Sequence, residues 1–226
     1  MSSETDNRLL QHLGEFVSAS KKQLIEQILN YRTRHVTVVL EDIFQPHNAS
    51  AVIRSCDCFG IQDLHIIEDR NQYVLNPNVT QGSSKWVDII RHNQHQGQNS
   101  THCLKTLKAQ GYRLIATSPD KQGVDLHQLP LQSKFALVFG TELEGLTEQA
   151  LALCDEQVRI PMYGFTESFN ISVSVALCLH TVINKLHDTK ISWQLTEQER
   201  QQIKLNWYRR VVRNAHILEK EFLKSL

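Results

Sequence analysis

The chain has 226 residues, 41% of them hydrophobic and 21% charged, and its 24 basic and 24 acidic side chains give a formal net charge of zero. That size and composition suit one large globular domain with appendages, and neutrality excludes a global field drawing the protein to nucleic acid or membrane, so any such attraction must come from local patches. No run of 18 apolar residues is present to span a membrane, the polar, acidic start "MSSETDNRLL" lacks the pattern of a secretory signal, and the five cysteines form no paired framework, which points to reduced, mostly buried thiols in a cytoplasm rather than to disulfide, metal or redox groups.

Residues 5 to 32 carry apolar side chains at helical spacing, with Gly14 as a weak point. The period then changes. "VTVVL" (Val36 to Leu40) is β-branched and continuous, the pattern of a strand buried on both faces. A helix is predicted from about Asn48, a good N-cap residue close behind Pro46, and Gly60 ends it. Ala49, Val52, Ile53 and Cys56 form its apolar stripe, and Arg54 falls about 150° away from that stripe, facing outward. "LHII" (Leu64 to Ile67) is the next strand, so strand, helix and strand make a βαβ unit with a parallel sheet.

The stretch from Arg91 to Thr101 is polar and reads as an exposed loop. His92 and His95 lie three apart in it, with no further ligand clearly placed, and read as solvated histidines. A helix follows to Gly111, then strands at Arg113 to Ser118 and Phe135 to Gly140. Thr147 caps a short helix, Gln157 to Met162 is a strand broken by Pro161, and a long, mostly apolar helix runs from Asn170 to His187. The core is therefore a doubly wound α/β unit over residues 36–188, with a helical extension over 1–35 and a tail over 189–226 that reads as one helix from Thr196.

Open α/β sheets bind ligands beyond the carboxyl ends of their strands. No strand here is followed by the glycine fingerprints of dinucleotide or phosphate-loop proteins, nor by a G-x-S-x-G nucleophile elbow. Three strand ends nevertheless carry polar residues that core packing does not require. They are Asn48-Ala49-Ser50-Ala51-Val52-Ile53-Arg54, then Gly140-Thr141-Glu142-Leu143-Glu144-Gly145, then Ile160-Pro161-Met162 with Ser168-Phe169-Asn170-Ile171-Ser172. Taken singly, each could be a helix cap or a tight turn.

Together and in this order they resemble the three signature motifs of the SpoU-type branch of the SPOUT RNA 2′-O-ribose methyltransferases, and within it the tRNA guanosine-2′-O-methyltransferases of the TrmH type. One small departure is Phe169, where relatives often have Leu. The resemblance implies a parallel sheet ending in a deep trefoil knot over about Phe135 to His187, an exception to the rule that chains do not thread their own loops. It implies S-adenosyl-L-methionine as cofactor, held by Thr117, Gly140, Ile160, Met162 and Phe169. It also implies a homodimer in which Arg54 reaches the partner's cofactor. Asn48 would hold Arg54 or the ribose, Glu142 would organise the catalytic loop, and Ser168 and Asn170 would position the substrate. The resemblance makes Arg54 the candidate to help the 2′-hydroxyl lose its proton, either as a deprotonated base or, since arginine is a poor base, by gripping a neighbouring phosphate and favouring charge on the 2′-oxygen.

RNA also needs a landing surface. "RQQIKLNWYRRVVR" (Arg200 to Arg213) holds five basic residues and no acid, with Trp207 read as core rather than as a stacking platform. Lys204, Arg209, Arg210 and Arg213, with Lys21 and Lys22, are the candidate RNA contacts. The resulting expectation is methylation of a guanosine in the tRNA D-loop. Ribosomal RNA is the alternative substrate, disfavoured because only about 35 residues precede the first strand. An inactive RNA-binding relative is a second alternative, opposed by the presence of Asn48, Arg54, Glu142 and Asn170. A nicotinamide-dependent dehydrogenase would lack its fingerprint.

Overall fold

The computed structural model describes residues 3–73, 80–95, 97–119 and 123–226. They fall into two compact units, Thr33–Trp193 and the paired termini Met1–Arg32 with Gln194–Leu226.

The larger unit is a seven-stranded, wholly parallel sheet with the order β3-β2-β1-β6-β4-β7-β5. The strands are β1 (Val36–Glu41), β2 (Asp63–Ile67), β3 (Asp88–His92), β4 (Arg113–Thr117), β5 (Val124–Asp125), β6 (Phe135–Phe139) and β7 (Glu156–Arg159). β1 and β6 sit together at the centre and are buried at every position. Their alternation serves two cores. Val36, Val38, Leu40, Leu137 and Phe139 meet the helix Pro46–Cys58 and the long helix Ile171–His187 on one face. Val39, Ala136 and Val138 meet the helices Asn99–Ala109 and Glu148–Leu153 on the other. Double coverage is why these strands read as unbroken apolar runs.

The smaller unit holds helices α1 (Ser3–Gly14) and α2 (Ala19–Leu29) with two from the tail. The sheet-flanking helices are, in chain order, α3 (Pro46–Cys58), α4 (Asn99–Ala109), α5 (Glu148–Leu153) and α6 (Ile171–His187), and the tail supplies α7 (Glu197–Val211) and α8 (Ala215–Lys224). Leu9, Leu13, Ile25, Leu29, Ile203 and Trp207 are buried there, and the buried Arg32 guanidinium lies 5.3 Å from the Trp207 ring. Trp207 is thus core, as its sequence context indicates.

Four sequence expectations need correction. The tail is two helices, because Val212 turns extended and Asn214 takes a left-handed φ of 57°, which asparagine tolerates. α3 begins at Pro46 with Gln45 as its extended N-cap, since proline presets φ for the first helical position. Asn48 is therefore inside the helix, and its side chain is released for other bonds. Arg91 and His92 belong to β3 and Asn99 to Thr101 to α4, so the polar loop reduces to the residues between, of which Gln96 lies outside the described residues. β3 is an edge strand, half-buried and charged at its ends, so neither alternation nor an apolar run betrays it. Finally, β7 stops at Arg159, before Ile160.

Candidate active site

Three loops at the carboxyl ends of the strands carry the signature residues. The first follows β6. Thr141 N–H donates to Gly145 O (2.9 Å) and Gly145 N–H donates back to Thr141 O (3.1 Å), closing a tight loop over Glu142 to Glu144. A Cβ on Gly140 would lie 2.1 Å from the Gly145 carbonyl, so only glycine fits, and Gly145 has a φ of 71°. Beyond the loop, Thr147 caps α5 by accepting from Ala150 N–H. Thr147 is itself held by Glu41 at the end of β1. That buried carboxylate accepts the Thr147 N–H (2.9 Å), the Thr147 hydroxyl (2.8 Å) and the Ser100 hydroxyl (2.6 Å).

The second loop follows β1 and leads into α3. Here Asn48 Nδ2 donates to Glu142 Oε1 at 2.7 Å. The third precedes α6, where Asn170 Nδ2 donates to the same Glu142 oxygen at 2.8 Å and to Asn48 Oδ1 at 3.2 Å. Asn170 Oδ1 meanwhile caps α6 by accepting from Ser172 N–H (2.9 Å). One carboxylate oxygen therefore ties together the three signature segments. Asn48 is bonded to Glu142 and Asn170, with no bond to Arg54. Arg54 stands exposed on α3 and makes no hydrogen bond or ion pair to any described residue.

Glu142 also borders a cavity of about 450 Å³. All five residues expected to hold a cofactor, Thr117, Gly140, Ile160, Met162 and Phe169, line it, and so does Ser168. The other walls include Ser118, Pro119, Leu151, Val158, Ile171 and Cys178. Three carboxylates, Glu142, Glu144 and Glu167, face it, and among the described residues no Lys, Arg or His does. Such a lining suits an organic ligand with apolar parts and a net positive charge, and it opposes a polyphosphate.

Sequence reasoning missed the residues that brace this site. Buried Asp42, at a left-handed φ of 53°, accepts N–H groups from Asp69 and Arg70 (2.8 Å each). Arg70 then donates to Glu144 (2.7 Å) and to Asp42 (3.3 Å), and these bonds raise the guanidinium pKa above its ordinary value. Asp42 and Arg70 look like ordinary surface charges in the sequence, because their partners lie in distant segments.

In the smaller unit the basic candidates differ. Lys204 is bound to Glu26, and Arg209 makes a two-pronged pair with Glu219 (3.0 and 2.7 Å). Arg210 and Arg213 are both exposed, while Lys21 and Lys22 are half-buried. His92 is no loop histidine. Its Nε2 lies 3.0 Å from Nδ1 of His65 on β2, and its pKa is lowered by burial and by the neighbouring His102 and His95.

Sheet order and cavity lining together mark a parallel α/β protein that takes a cationic organic ligand at the loops after its central strands. The chain matches the model of the SpoU rRNA Methylase family over residues 35–180, and it belongs to that family. It is 41% identical to a tRNA (guanosine(18)-2′-O)-methyltransferase of Borreliella burgdorferi, over 95% of this chain and 97% of that one. It is 32% identical to the protein of the same name from Thermus thermophilus, over 71% and 80% respectively. Among solved structures, a TrmH/SpoU tRNA modifying enzyme of A. aeolicus superposes with a TM-score of 0.77 at 27% identity, covering 86% of this chain and 98% of that one.

Proposed function

We propose that the protein is an S-adenosyl-L-methionine-dependent 2′-O-ribose methyltransferase acting on a guanosine of the tRNA D-loop. The observation that carries the reading is Glu142, which lines the carboxylate-bordered cavity and at the same time holds Asn48 and Asn170. The names of the relatives support the same substrate.

The residues present fit the cofactor. The three cavity carboxylates complement its net positive charge, Ile160, Met162 and Phe169 offer apolar walls, and Gly140, whose missing Cβ leaves room for the Gly145 backbone, keeps the loop closed at the cavity's edge. When bound, S-adenosyl-L-methionine supplies an electrophilic methyl group on a sulfonium. The chain's own residues do the rest. Ser168 and Asn170 position the ribose and shape the cofactor loop, while Glu142 organises the catalytic loop by holding Asn48 and Asn170. Arg54 grips a phosphate and stabilises negative charge developing on the 2′-oxygen.

A deep trefoil knot over Phe135 to His187 is supported by the strand order, which inserts β6 between β1 and β4 before the chain crosses to β7. A homodimer is supported by exposed Val173 and Leu177 on α6, by fully exposed Tyr163 and Phe165, and by Arg54 having no partner among the described residues. Residues 36–188 form the catalytic part, and the flanking segments 1–35 and 189–226 supply the RNA surface through Lys21, Lys22, Lys204, Arg209, Arg210 and Arg213. The cytoplasm is the compartment of the substrate.

The test is methyl transfer from labelled S-adenosyl-L-methionine to an unmodified tRNA transcript, with the modified ribose mapped and the particle mass measured. Transfer to a D-loop guanosine by a dimer is expected. Transfer confined to ribosomal RNA overturns the substrate, and cofactor binding without transfer to either RNA overturns the activity.

A further inference from the structure

Away from the cavity, β2, β3 and α4 bring three metal-ligating side chains together. His65 lies on β2, His92 on β3 and Cys103 on α4, and their ligand atoms all lie within 4.8 Å of one another. The parallel register sets His65 beside Ile90 and Ile67 beside His92, so the two imidazoles stack at 5.3 Å and their nitrogens meet at 3.0 Å. Cys103 is fully buried and His65 nearly so, while half-buried His92 opens the group to solvent. His95 and His102, stacked at 3.9 Å, stand exposed at this outer side, close enough to act electrostatically on His92.

We infer that His65, His92 and Cys103 form a zinc-binding site that ties β2, β3 and α4 together. Two imidazoles and a thiolate are a borderline-soft donor set, which favours Zn²⁺ over Mg²⁺ or Ca²⁺. Spacing on this scale needs only small side-chain shifts to bring three donors to about 2.0–2.3 Å from one ion. On binding, Cys103 gives its thiol proton to solvent. The proton shared between the two imidazoles moves to a ring nitrogen that does not ligate. The site is not catalytic: none of its residues lines the cavity. Its position on α4 nonetheless matters, because Ser100 of the same helix holds Glu41, the carboxylate that anchors Thr147.

The experiment uses the full chain stripped with chelator. Zn²⁺ is added alone in calorimetry and Co²⁺ alone in absorption. One equivalent per chain is expected, with a thiolate-to-cobalt band in the near ultraviolet and a rise in unfolding temperature on zinc addition. Cys103→Ser and His92→Gln should each weaken zinc at least about tenfold and remove the temperature rise. The double variant His95→Gln/His102→Gln should leave binding unchanged. Both ligand variants are checked for folding by their metal-free melting, and His92→Gln, at a half-buried position, stands in should Cys103→Ser fail to fold. Absence of saturable binding overturns the proposal, and so does binding that survives Cys103→Ser or is lost with the exposed pair.

Discussion

Gly140 cannot carry a side chain: its Cβ would sit 2.1 Å from the carbonyl of Gly145, whose position is fixed by two hydrogen bonds to Thr141. Gly140→Ala is therefore expected to displace the loop, cost about 1–3 kcal/mol in thermal or urea unfolding, and abolish S-adenosyl-L-methionine binding in calorimetry. Unchanged cofactor affinity would mean that this loop does not bound the cofactor site. Arg54 poses the opposite case. Its helix stripe of Ala49, Val52, Ile53 and Cys56 is complete without it, and it bonds to no described residue. Arg54→Ala should leave stability within about 0.5 kcal/mol and cofactor affinity unchanged. It should lower kcat by at least about a hundredfold, as expected for a group acting in the transition state. A near-normal kcat would remove Arg54 from the mechanism. Asn48 marks the limit of reading residues singly. Its type and place suggest a helix cap, whereas its amide is spent on Glu142, 94 residues further along.

Among the elements, α7 carries a mixed load of charge. Its basic run has no acid in its own sequence, yet Glu26 of α2 and Glu219 of α8 meet Lys204 and Arg209. The basic surface left free for the proposed RNA contact is consequently smaller than the sequence suggests. Arg210→Ala with Arg213→Ala should raise KM for tRNA, leave kcat unchanged, and reduce the salt slope of binding by about one unit for each phosphate that is no longer neutralised. Arg209→Ala should act mainly through stability, losing about 1 kcal/mol with its two-pronged carboxylate pair. Equal effects of all three on KM alone would return Arg209 to the RNA surface. The helices and strands with strong local patterns, β1, β6 and α6, are legible because burial on both faces or a long apolar period writes itself into adjacent residues. The edge strands β3 and β5 are not, since a half-buried or two-residue strand leaves no period to read.

The folded molecule taken entire carries a built-in sensitivity to acid. Burial, and then the neighbouring His92, push His65 down to about 3 from 6.5. The unfolded chain therefore binds more protons than the folded one between those values, so stability is full above about pH 6.5 and falls as pH drops through the window. With metal removed by chelator, urea unfolding should show a loss approaching about 1.4 kcal/mol per pH unit from this group, and His65→Gln should flatten the slope. An equal slope in the variant would place the acid sensitivity elsewhere. The α/β class, the buried central strands, the long apolar helix and the identity of the signature residues are all written in the amino-acid order, because local periodicity and residue type encode burial and chemistry at short range. Other features exist only once the chain has folded. One oxygen of Glu142 joins Asn48 and Asn170, which are 122 residues apart; Arg70 and Asp42 brace the same loop; and His65, His92 and Cys103 converge. Those meetings depend on strand order, parallel register and helix packing, which are set by burial across the whole sheet and leave no trace within any short window of the chain.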